Sequence, residues 1–126
     1  LGFTPQSVNQ IGGYKVQGKE QSAAERLMAE AQVVQEAGAF AIVIEMVPGA
    51  LGRKITEQIA IPVISCGAGP DCDGQVIVIN DLLGLSERPP KFTRQYLDLR
   101  KDISGAVSRY RTEVEQGTFP GPEQTF

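Results

Sequence analysis

Hydrophobic positions along this chain follow first a helical period and then unbroken short runs. From about Ala23 to Ala37, Leu27, Met28, Ala31 and Val34 fall on one face at a spacing near 3.6. Ser22 with Glu25 has the spacing of a capping box, and Gly38 stands where a helix closes. Next, eight of the nine residues from Ala39 to Val47 are apolar, and the exception is Glu45. The run Phe40 to Ile44 has strand length and does not alternate, as expected of a parallel strand covered on both faces. After Pro48 the pattern predicts a helix from about Gly49 to Ile59, carrying Leu51, Ile55 and Ile59. "IPVIS" (61–65) repeats the strand signal and ends in the breaker Gly67-Ala68-Gly69-Pro70.

"QVIVIN" (75–80) is a third strand-like run. Its join to the second is too short for the usual crossover helix, so either the crossover is degenerate or the segment is no neighbouring parallel strand. Beyond Pro89-Pro90, a helix is predicted from about Phe92 to Glu115, with Tyr96, Leu99, Ile103, Val107, Tyr110 and Val114 repeating every three or four residues. The tail "GTFPGPEQTF" reads as extended, packed on something. The order helix, strand, helix, strand with short joins is that of βα units around a parallel sheet.

Three strands and three helices make an incomplete α/β object with two sheet edges to cover. The chain opens at Leu1 on about 20 residues of polar, Gly-rich loop, an unusual start for a free-standing domain. Both features predict the C-terminal part of a longer protein, a single partial domain supplying strands six to eight of a (β/α)8 barrel. A doubly wound open sheet is the alternative. It needs a phosphate loop, for which "GAG" at 67–69 is a weak candidate.

Composition narrows the chemistry. The net charge is −3 with Lys and Arg scattered, which disfavours nucleic acid. No apolar run has the length of a membrane span, and no signal peptide is visible. There is no His, so acid–base chemistry must rest on carboxylates, Lys, Tyr or Cys. Cys66 and Cys72, spaced C-x5-C, read as two reduced thiols in a cytoplasmic protein.

Glu45 stands at the carboxyl end of its strand, where parallel barrels gather their active sites. Apolar surroundings would raise its pKa and suit it to act as a general base. The alternative is a strand-end residue that is partly solvated or paired with Lys or Arg. Asp81 has an analogous place, but the reading favoured for it is a cap of the turn "NDLLG". Asp71 and Asp73 could hold Mg²⁺, with turn hydrogen bonds the favoured reading. Lys15 could meet an anion, with a solvated loop lysine favoured.

Four stretches resemble the ketopantoate hydroxymethyltransferase (3-methyl-2-oxobutanoate hydroxymethyltransferase) family: "LGFTPQSVNQIGGYKVQG", "AGAFAIVIEMVP", "IPVISCGAGPDCDGQVIVINDLLGL" and "FPGPEQTF". The resemblance covers essentially the whole chain. It implies a (β/α)8 barrel of the phosphoenolpyruvate-binding superfamily and the first committed step toward pantothenate. In that step a hydroxymethyl group passes from 5,10-methylenetetrahydrofolate to 3-methyl-2-oxobutanoate. By motif match Glu45 is the base that takes the proton next to the ketone. The resemblance further implies Mg²⁺ as Lewis acid on the keto acid, a cytoplasmic enzyme and a homo-oligomer, often a decamer of two five-membered rings. Family Mg²⁺ ligands lie in the N-terminal half, outside these residues, and a family His would directly precede Leu1. Asn80 and Gln124 replace family histidines, and Ser65-Cys66 stands where small or apolar residues are common. The 126 residues alone should therefore be inactive. Two rival readings are another 2-oxo acid or phosphonate lyase of the same superfamily and a non-catalytic half-barrel remnant.

Overall fold

A computed structural model describes residues 1–126, which pack as two compact units, 1–77 and 78–126. The first unit is built on a short parallel sheet. Strand β1 (Ile42–Glu45) pairs with β2 (Val63–Cys66), and β2 with β3 (Gly74–Gln75). The Leu1–Phe3 segment adds to the free edge of β1 through a parallel bridge between Gly2 and Glu45. So the opening of the chain, read as loop, makes a single β-bridge to the sheet. The edge groups of β1 are paired by it: Glu45 N–H donates to Leu1 O at 2.9 Å, and Phe3 N–H to Glu45 O at 2.8 Å.

Ile42 and Ile44 point to one face, where they pack with Val63, Leu27 and Ala31 of α1 (Gln21–Glu36), and Leu51 and Ile55 of α2 (Gly49–Gln58). Ile44, Ile55 and Val63 are fully buried. Removing apolar area of this kind from water, at about 25 cal/mol per Å², is what holds the unit together. Both helices lie on this one face, and the strand order runs β1-β2-β3 without reversal. That is the arrangement of part of a (β/α)8 barrel. A doubly wound sheet would carry helices on both faces. Within these residues the opposite face is open, and Val43 is 48% exposed. The unbroken apolar run therefore shows an alternating burial pattern here.

Several predicted boundaries move. Helix α1 starts at Gln21, and its N-cap is Glu20 with no side-chain cap, so the Ser22–Glu25 box is not formed; the Gln21 amide bonds Glu25 instead at 2.7 Å. Its end is as expected: Gly38 and Ala39 N–H groups close onto Gln35 O and Val34 O in a Schellman motif. The third strand pairs over only two residues, parallel to β2, and is reached by a helix-free loop.

In the second unit, residues 79–80, read as strand, begin the short helix α3 (Ile79–Leu82). The long helix α4 is Leu99–Glu115, seven residues shorter at its start than predicted. Tyr96 and Leu99 N–H groups bond Leu82 O and Leu83 O, which holds the approach segment out of the helix. Asp98 then caps it by accepting from Lys101 N–H. No residue of α4 is buried, and Ile103, Val107, Tyr110 and Val114 form an exposed apolar stripe. The tail is not simply extended: Pro122–Gln124 is a 3-10 turn, and the Phe119 ring meets Tyr110 edge-on at 5.4 Å. No helix is long and apolar enough to cross a membrane.

Candidate active site

The period of a strand is two, so Glu45 shares the helix-free face with Val43. Register places Glu45 directly opposite Cys66, and Val43 opposite Ile64. Glu45 thus sits at the carboxyl end of β1, on the side that a closed barrel turns inward. Its backbone is tied on both sides, by Leu1–Phe3 on one edge and by β2 on the other. The chain then leaves the sheet abruptly. Met46 has φ of +50°, a region that non-glycine residues seldom occupy. Its N–H donates to Cys66 O at 3.0 Å and its carbonyl accepts from Gln17 N–H at 2.8 Å, so the strained turn is anchored at both polar groups.

The Glu45 carboxylate is half-buried and makes no ion pair with Lys or Arg and no side-chain hydrogen bond. Desolvation raises its pKa. The alternative of a Lys or Arg partner is therefore not realised. A desolvated carboxylate without a cationic side chain is a better proton acceptor than a solvated one.

The loop before α1 lies against this strand end. Phe3 is buried, and its ring stacks on Tyr14 with centroids 5.0 Å apart. Lys15 is exposed and its ammonium has no ion-pair partner. Asp71 and Asp73, in the same unit, have partners of their own. Asp71 pairs with Arg53 at 2.8 Å, and Asp73 accepts from Val63 N–H at 2.8 Å, holding the start of β2. No group of three or more Asp, Glu, His or Cys is placed so as to hold a metal ion. Asp81 is buried at the third position of α3, whose N-cap is Val78, so it is not the cap. It lies where a carboxylate favours the helix N-terminus. The "GAG" loop is used in packing: Gly69 lies on Gly49 and Ala68 O on Gly52, at the start of α2. Buried Ser65 Oγ accepts from Ala68 N–H within the same turn.

Sequence reasoning missed Gly2 and Phe3 as the residues tied to Glu45 and gave no role to Cys66. Pairing register carries the first and last of these, and register is not written in a local pattern.

The family model described as ketopantoate hydroxymethyltransferase matches residues 1–122. The chain belongs to the ketopantoate hydroxymethyltransferase family. It is 54% identical to the 3-methyl-2-oxobutanoate hydroxymethyltransferase of Syntrophus aciditrophicus, covering all of this chain and 47% of that relative. It is 53% identical to the protein of the same name from Paracoccus denitrificans, covering 46% of it, and 54% identical to that of Syntrophobacter fumaroxidans, covering 45%. The chain thus spans about half the length of these curated relatives. Its sheet order and one-sided helices are those expected of part of the family's barrel.

Proposed function

We propose that these residues form the C-terminal half of a (β/α)8 enzyme that transfers a hydroxymethyl group to 3-methyl-2-oxobutanoate, with Glu45 as base. One observation carries this reading: a desolvated carboxylate at the carboxyl end of a parallel strand, facing the helix-free side, without a cationic side-chain partner. In this reading Glu45 takes the proton from the carbon next to the ketone. Water adds to the methylene carbon of 5,10-methylenetetrahydrofolate and both of its C–N bonds break, so the one-carbon unit is released at the oxidation level of formaldehyde and tetrahydrofolate leaves with its two nitrogens protonated. The enolate carbon forms the new C–C bond to that carbon, and the oxygen that came from water takes the proton held by Glu45 and becomes the hydroxyl. The anchored turn at Met46 fixes the backbone that carries the carboxylate, and apolar Val43 and Ile64 lie on the same face.

The resemblance assigns the ligands of the family's Mg²⁺ to the part of the enzyme outside these residues, among which no group of three or more carboxylates or thiols is placed to hold a metal. A homo-oligomer, in rings of five, is part of the same proposal, and the exposed α4 stripe is a surface such an assembly would cover.

The test is turnover of 3-methyl-2-oxobutanoate by the full-length protein with and without methylenetetrahydrofolate. Donor-dependent formation of 2-dehydropantoate is expected. Donor-independent cleavage of the keto acid would point to a lyase instead. Made alone, the 126 residues should turn over nothing.

A further inference from the structure

We propose that Tyr14 and Lys15 form the platform for the one-carbon donor, a planar reduced pterin with a carboxylate tail. The inference rests on the transferase reading above and names the subsite of the second substrate.

The geometry starts at Phe3. This ring is buried, and its N–H is bonded to the carbonyl of Glu45. Tyr14 stacks on it at an interplanar angle of 25°, yet remains 78% exposed. One face of the Tyr14 ring is therefore backed by a fixed aromatic, and most of its surface is open. A ring held in this way loses little freedom when a second planar system stacks on it. The loop's other end is fixed as well. Gln17 N–H bonds Met46 O, and its side-chain amide bonds Lys15 O at 2.9 Å. The open ring is thus carried between two tethers, one on Glu45 and one on the residue after it. That position is next to the carbon nucleophile the base would create.

Lys15 supplies the charge. Its ammonium folds back over Gly12, where an added Cβ would lie 2.9 Å from Nζ. No carboxylate neutralises it. An exposed aromatic ring followed in the chain by a cation that no carboxylate of these residues pairs suits a flat heteroaromatic anion. The keto acid has no ring to stack.

The test uses the full-length protein and two readouts. Proton exchange at the carbon next to the ketone needs no donor, whereas hydroxymethyl transfer does. Tyr14→Ala should raise KM for methylenetetrahydrofolate about tenfold and leave exchange unchanged, and Tyr14→Phe should keep both near the parent values. Lys15→Gln should weaken donor binding several-fold at low salt and much less at high salt. Calorimetric titration with tetrahydrofolate gives the binding constant directly. An unchanged donor constant in Tyr14→Ala overturns the platform. Parallel loss of exchange and transfer also overturns it, because the loop would then be a support for Glu45. If the parent protein shows no exchange, the transferase reading falls separately. Tetrahydrofolate binding that still depends on Tyr14 would then uphold the platform, and absence of binding would overturn it.

Discussion

Glu45 and Cys66 are register partners at the carboxyl ends of β1 and β2, with their side chains on the same helix-free face. Neighbouring strands lie about 4.8 Å apart, so whatever occupies position 66 borders the Glu45 carboxylate. A second carboxylate there would oppose ionisation of the first. Cys66→Asp should therefore move the acid limb of the pH–exchange profile to higher pH in the full-length protein. Cys66→Val, similar in volume and neutral, should leave exchange possible. An acid limb in Cys66→Asp that stays where it is in the parent would mean that the two side chains do not face each other.

Gly2 sits against the backbone of Glu45. An added Cβ would collide with the Glu45 carbonyl oxygen and with Val47, and the φ of +83° disfavours any side chain. Gly2→Ala should cost about 1–3 kcal/mol of stability and displace the strand end. The unfolding midpoint in denaturant measures the first effect, and the exchange rate the second.

Glu45 is held at some cost to the fold. Desolvation puts its folded pKa above the ordinary carboxylate value. A group raised in this way favours folding fully below the unfolded carboxylate range, and that contribution is lost as pH rises through the folded value. At neutral pH the ionised group is therefore the less stable form. Glu45→Gln should be at least as stable as the parent near pH 7.5, with this advantage shrinking toward about pH 3.5. Denaturant melts at the two pH values decide the sign.

Asp71 and Asp73 differ in what they hold. The Arg53–Asp71 pair is solvent-exposed, and exposed pairs contribute about 0–1 kcal/mol. Asp73 instead satisfies the Val63 N–H at the start of β2. Asp73→Ala should cost about 1–3 kcal/mol and Asp71→Ala much less. Neither change should alter the Mg²⁺ dependence of the full-length protein. A shift in the activating Mg²⁺ concentration in either variant would reopen this loop as a metal site.

Much of the first unit was legible because its signals are local. The apolar face of α1, the Gly38 closure, helix α2 and the first two strands follow from periodicity and punctuation. The errors arose where distant backbone groups decide. Ile79 and Asn80 follow an apolar run of strand length but turn into α3, whose N–H groups at Asp81 and Leu82 bond Val78 O. Residues 92–98 continue the period of α4, yet two hydrogen bonds to the end of α3 hold them extended. The bridge that Leu1–Phe3 make to Glu45 could not be read from the sequence, because a single bridge has no period. In the site, Glu45 stood out as the one charge in an apolar run. Its neighbours Gly2 and Cys66 did not, since only register joins them to it.

The most direct measurement is deuterium exchange at the carbon next to the ketone of 3-methyl-2-oxobutanoate, followed by NMR with full-length Glu45→Gln and with the parent. With Glu45 as the proton acceptor, the variant should bind the keto acid and exchange it slower by about two to four orders of magnitude. Exchange at the parent rate by a correctly folded variant would contradict the role given to Glu45.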